Sequence, residues 1–217
     1  MANLMMAVAI SASLVLNPLN VMDMRSNIDK NIEKLHDGKT KFHVAGVRNN
    51  LFYKIKDYNK NLSDQEILLI MNSVKKHSKK YNVPEKLIYA IIAAESRFNV
   101  KCVGTLDDTG LMQIRAKYAP GWARAMGIEY KGKATLFDIQ KNIQMGTYIL
   151  KFLVDKYEGN LYQVLIGYNW GFGYVDKAVD QGKPLPSGYV NLVKKHYRNL
   201  FNTELEMNVL AVVPDKR

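Results

Sequence analysis

A globular domain built on amphipathic helices and set behind an N-terminal extension is what this sequence predicts, on three observations. The chain has 217 residues and is 47% hydrophobic, enough to bury a sizeable core. Three stretches, beginning near Ser63, Pro84 and Leu136, carry apolar residues at helical spacing. The region up to Asn61 is different in kind, with an apolar run first and then polar, basic sequence broken by Asn17-Pro18 and Asp37-Gly38. No repeat or low-complexity tract interrupts this plan.

The apolar run from Leu4 to Leu16 suits the core of an export signal and is short for a membrane span of about 20 residues. Met1-Ala2-Asn3 lacks the Lys or Arg of a signal peptide, and the small residues Ala7, Ala9, Ser11 and Ser13 lie inside the run. Residues 1–21 therefore read either as a signal or anchor, or as a hydrophobic arm that packs on an assembly partner. Residues 22–62 read as a basic linker or adaptor with a short helical pattern through Ile28, Ile32 and Leu35.

The domain boundary is placed just before Ser63, giving a domain over 63–201 and a tail over 202–217. Ser63-Asp64-Gln65-Glu66 is a capping box ahead of Ile67, Ile70, Met71 and Val74. That helix ends in Lys75, Lys76, Lys79 and Lys80, at its negative pole. Next, Pro84 sits in a first turn, where its missing N–H costs nothing, with Glu85 beside it. Leu87, Ile88, Ile91, Ile92 and Glu95 then fall on one face. Glu95 continues an apolar stripe, so burial should disfavour its ionisation and bring its pKa towards the range of a general acid/base. On position alone, a solvated or salt-bridged glutamate is the ordinary reading.

The loop after this helix holds Gly104, Asp107 and Asp108 and leads to Gly110-Leu111-Met112-Gln113-Ile114, a reasonable cleft wall. Both aspartates also fit a solvated turn. A third helix runs from Leu136 through Ile143, Met145, Ile149 and Leu153, with Gly146 allowing close approach of a neighbour. Leu165 to Gly173 then sets Tyr168, Trp170 and Phe172 among glycines.

Charge and metal-ligand patterns narrow the function less. A net charge of +11 spread along the chain favours anionic polymers without choosing among nucleic acid, lipid or cell wall. No nucleic-acid-binding motif is present, so no specific nucleic-acid partner is expected. Cys102 is the single cysteine, which excludes an internal disulfide. His36, His43, His77 and His196 show no ligand spacing, so neither a metal nor another cofactor is expected.

Taken together, Glu95-Ser96, Gly110-Leu111-Met112-Gln113, Asn142-Ile143 with Gly146, and Gly167-Tyr168-Asn169 with Gly171 resemble the successive motifs of the soluble lytic transglycosylase catalytic domain, the lysozyme-like module of the goose-type group. Tyr81-Asn82-Val83-Pro84 before them and Tyr189-Val190 after them fit the same pattern, which covers residues 64–200. The resemblance implies a mostly α-helical, two-lobed, lysozyme-like fold with a glycan groove. It implies cleavage of the β-1,4 bond between N-acetylmuramic acid and N-acetylglucosamine in peptidoglycan, leaving a 1,6-anhydro end, with Glu95 as the single acid/base. The implied place of action is the bacterial envelope or periplasm, reached by export or as part of a phage virion or secretion apparatus.

The same resemblance gives Ser96 a structural role at the helix end, Gln113 a hydrogen bond to substrate or to Glu95, and Asn169 a sugar contact or a turn lock. Tyr168 would tune the acid through its hydroxyl, and Met112 would floor the groove. Gly104 stands where many relatives carry a serine that contacts the N-acetyl group, and Thr105 is the residue able to take that part. Trp170 and Phe172 replace small residues, either as a stacking platform or as filling between lobes. Asp107 or Asp108 as a second carboxylate would instead make a hydrolytic muramidase. A glycan-binding structural component without turnover is the alternative from another class.

Overall fold

A computed structural model describes residues 50–207. The readings made for residues 1–49, and for the tail beyond Met207, lie outside the described residues. The first described element, α1 (Asn50–Tyr58), buries Phe52 and Ile55 in the main core. Lys54 Nζ donates to the carbonyls of Asn199 and Leu200 at 3.1 and 2.9 Å, neutralising the negative end of the last helix. This helix, which lies ahead of the boundary expected before Ser63, thus shares the core of the residues that follow it. Leu205, beyond the domain end expected at 201, is buried in the same core.

Helix α2 (Asp64–Tyr81) starts on the capping box of Ser63 and Glu66. Helix α3 (Glu85–Ser96) is buried continuously from Leu87 to Ala93, as a helix apolar all round must be. Its end is enforced by two consecutive left-handed residues, Arg97 (φ 49°) and Phe98 (φ 61°). That stop leaves Glu95 in the last helical turn.

A short antiparallel hairpin follows, β1 (Asp108–Thr109) with β2 (Ile114–Arg115), in the register Asp108 to Arg115 and Thr109 to Ile114. Its connection needs positive φ at Gly110 (83°) and Gln113 (46°). A Cβ on Gly110 would lie 2.2 Å from the Leu136 carbonyl oxygen, so only glycine fits. Then come α4 (Ala119–Met126), α5 (Lys133–Phe137) and α6 (Ile139–Lys156). The helix expected to start at Leu136 is thus two, separated by Asp138, whose side chain caps α6 by accepting from Lys141 N at 2.8 Å. The chain closes with α7 (Leu161–Trp170), α8 (Phe172–Asp180) and α9 (Gly188–Phe201).

Two apolar clusters organise the fold. The larger gathers Ile67 and Ile70 of α2, Ile88 and Ile92 of α3, Leu150 of α6, Leu165 of α7 and Val193 of α9. The smaller joins Ile114, Ala119, Ala123, Leu136 and Met145. Helix α6 serves both. On its face, Gly146 accepts Met112 so closely that an added Cβ would meet the Met112 Sδ at 2.4 Å and its Cβ at 2.8 Å. Gly146→Ala should therefore destabilise the domain by about 2 kcal/mol, read as a lower urea midpoint with unchanged slope.

Candidate active site

Glu95 lines a groove of about 730 Å³ together with Asp108, Gln113, Arg115, Tyr168 and Asn169. Its carboxyl Oε1 accepts a hydrogen bond from the Tyr189 hydroxyl at 2.5 Å. Burial is the main force on this carboxyl, and it pushes the pKa up from 4.5 to about 7. The Tyr189 hydrogen bond favours the ionised form and pulls the value down, and the negative charge of Asp108 raises it again. The C-terminal pole of α3 is itself a poor place for a negative charge. Burial, Asp108 and the helix end are thus set against ionisation, and one strong donor, Tyr189, steadies the carboxylate once it forms.

The residues around Glu95 divide between groove and scaffold. Ser96 Oγ donates to the Leu111 carbonyl at 2.8 Å, with the Ile92 carbonyl 3.1 Å away, and so ties the end of α3 to the hairpin turn. Asn142 holds the same turn from α6: its Oδ1 accepts from Met112 N at 2.8 Å, and its Nδ2 donates to Leu136 O at 2.7 Å and Thr109 O at 3.0 Å. Gln113 faces the groove, but its amide Nε2 donates to the carbonyls of Gly110 at 2.9 Å and Cys102 at 3.2 Å. A Cβ on Gly104, the departure from the resemblance, would lie 2.9 Å from Gln113 Oε1, so a larger residue there would shift the end of the Gln113 side chain.

Several expected assignments change. The Tyr168 hydroxyl donates to the Met112 carbonyl at 2.9 Å, and it is Tyr189, from α9, that bonds Glu95. Met112 does not floor the groove: it is 0% exposed and sits under Gly146, because its carbonyl and N–H are both spoken for and its side chain fills the space that a glycine leaves. Thr105 and Asp107 are exposed and absent from the groove lining. Asp107, in a left-handed turn (φ 64°), pairs with Lys133 at 2.5 Å. Asn169 is exposed on the groove wall.

Asp108 alone of the two aspartates reaches the groove, and it is occupied. Arg115 donates through Nε to its Oδ1 at 2.9 Å and through Nη2 to its Oδ2 at 3.4 Å, across the hairpin. Sequence reasoning missed this pair, whose only signal is the two-residue strands flanking the Gly110 turn. It misses the role of Tyr189 as well, although Tyr189-Val190 closes the pattern in the sequence. Among the described residues no group of three or more His, Cys, Asp or Glu is placed to hold a metal.

Two expected outcomes follow from this arrangement. Tyr189→Phe should lower the rate by about tenfold, the worth of one strong hydrogen bond. It should also move the alkaline limb of the pH–rate profile to higher pH, because the donor that favours ionised Glu95 is gone. Asp108→Asn should move that limb the other way, since removing a like charge lowers the Glu95 pKa and the protonated acid is lost at lower pH.

Known proteins give the site its context. The chain is 34% identical over 127 residues to the membrane-bound lytic murein transglycosylase C of Serratia proteamaculans, covering 54% of this chain and 36% of that protein. It is equally similar, over 131 residues with the same shares, to the protein of that name from Yersinia pestis. The chain thus spans about a third of the length of the curated relatives it matches. In three dimensions it is similar to the 70 kDa soluble lytic transglycosylase of Escherichia coli, with a TM-score of 0.54 and 23% identity over 59% of this chain and 23% of that one, a likeness of fold. The family model of the transglycosylase SLT domain matches residues 72–187, which hold Glu95, the hairpin and the whole of α7 and α8, and the chain belongs to that family.

Proposed function

We propose that this protein is a peptidoglycan lytic transglycosylase in which Glu95 acts first as acid and then as base. The observation that carries the reading is the Glu95 carboxyl, largely buried at a groove wall, with its pKa raised to about 7 and one hydroxyl donor to hold it. In the first step the Glu95 carboxyl gives its proton to the glycosidic oxygen, and the bond from that oxygen to C1 of the muramoyl ring breaks. The neighbouring N-acetyl oxygen stabilises the charge developing at C1. The Glu95 carboxylate, steadied by Tyr189, then takes the proton of the same sugar's C6 hydroxyl, whose oxygen bonds C1 and closes the 1,6-anhydro ring. The proton returns to Glu95 and no water is consumed. Because the attacking hydroxyl is tethered to the electrophile, the second step has the advantage of an intramolecular reaction.

The hydrolytic reading is favoured by one observation, Asp108 in the same groove. Against it, Arg115 donates to both Asp108 oxygens and holds this carboxylate against the hairpin. Mass spectrometry of purified peptidoglycan digested in ¹⁸O-labelled water separates the two. Anhydro ends free of label support the transglycosylase, and reducing ends carrying ¹⁸O make the protein a muramidase.

The proposed place of action is the bacterial cell envelope, in line with relatives named as membrane-bound murein enzymes. Among the described residues no helix is long and apolar enough to cross a membrane.

A further inference from the structure

The groove wall carries more aromatic surface than the chemistry at Glu95 uses. Trp170 is 56% exposed, Phe172 43% and Tyr174 40%, and all three line the groove. They cluster because α7 stops at Gly171, whose φ of 86° turns the chain into α8. The turn leaves Trp170 and Tyr174 with ring centroids 5.0 Å apart and planes 31° from parallel.

The base of the cluster is braced. Phe172 packs edge-on against Phe152 at 5.6 Å, and Phe152 against Trp122 at 5.3 Å. The Tyr157 hydroxyl donates to the Phe172 carbonyl at 3.2 Å. Lys156, paired with Asp176 at 2.9 Å, stands over the Phe172 ring. Rings held this firmly and still exposed are poorly explained as core filling. Among the described residues neither the Trp170 indole N–H nor the Tyr174 hydroxyl donates to a protein acceptor. The cluster therefore offers flat apolar faces with unpaired polar edges, the complement of a pyranose ring with its C–H faces and hydroxyl rim. Continuity with the groove that holds Glu95 makes the glycan strand proposed to bind there the fitting occupant.

We propose that Trp170 and Tyr174 form a stacking platform for a sugar ring of the glycan strand beyond the two that flank the cleaved bond, so that the protein favours long strands over short ones. The proposal rests on the glycan-cleaving reading. Binding of peptide-free glycan oligomers, from disaccharide to octasaccharide, to the full chain carrying Glu95→Gln tests it without turnover. Affinity should rise with length, and adding Trp170→Ala should remove about tenfold at the octasaccharide while costing the disaccharide at least fivefold less. Trp170→Phe should restore most of the gain. Length series that run parallel with and without Trp170→Ala would overturn the platform, as would a Phe variant no better than Ala, or loss seen only against phosphatidylglycerol vesicles. Should unmutated protein release no product from sacculi while the length series still responds to Trp170, the catalytic reading fails and the platform stands.

Discussion

Glu95→Gln is expected to lower release of soluble muropeptides from purified sacculi by about 10³-fold or more. Gln keeps the size and the acceptor that Tyr189 bonds, and removes only the exchangeable proton. General acid or base catalysis each contributes about 10² to 10⁴, and in the proposed mechanism one group serves in both steps. The same substitution should stabilise the fold, and the sign follows from the direction of the shift. The folded carboxyl titrates near 7 against 4.5 when ordinary. Below pH 4.5 it is neutral in both states and costs nothing. As pH rises from 4.5 to 7 the unfolded chain releases the proton first, so the folded state loses stability, and above 7 the loss reaches about 3 kcal/mol. The Gln variant remains neutral throughout. Urea unfolding should therefore find it more stable than the parent at pH 8, by up to about 3 kcal/mol, and equal to it at pH 4. A variant that is inactive yet less stable at pH 8 would mean that Glu95 is a structural ion, not a strained acid.

Asn142→Leu should be the most damaging change outside the groove, at about 4 kcal/mol. The side chain is buried and satisfies the Met112 N–H and the carbonyls of Thr109 and Leu136, none of which can reach water once the amide is gone. Each stranded group costs about 1 to 3 kcal/mol. The sum approaches the whole stability of a marginal domain. Because the turn it holds carries Gln113 and receives Tyr168, activity at 20 °C should fall even where the protein stays folded. Thermal unfolding followed by circular dichroism, beside activity at a temperature below the transition, separates the two losses.

The helices around Glu95 were legible because their signals are local. Ser63 with Glu66, and Pro84 with Glu85, are starts whose chemistry lies within one turn, and the stripe from Leu87 to Glu95 states its burial through periodicity. The elevated acidity of Glu95 could be reasoned from the same stripe. The partners of Glu95 could not, since Tyr189 lies 94 residues away and only the packing of α9 along α3 brings its hydroxyl to the carboxyl. The Asp108 to Arg115 pair was hidden for another reason: strands of two residues have no period to read. Met112 misled because a methionine beside a groove motif suits either a wall or a core, and the choice is made by Gly146 on another helix. The part of α1 in the core rests on Phe52 and Ile55, the two buried positions of a nine-residue helix too short to show a clear period.

The account depends on Glu95 holding its proton near neutral pH, and ¹³C NMR titration of the glutamate side-chain carboxyls, assigned through Glu95→Gln, measures that directly. The expected midpoint for Glu95 is near 7, moving down in Asp108→Asn and up in Tyr189→Phe. A midpoint near 4.5 that neither substitution moves would contradict it, because a carboxyl already ionised at neutral pH has no proton to give the glycosidic oxygen.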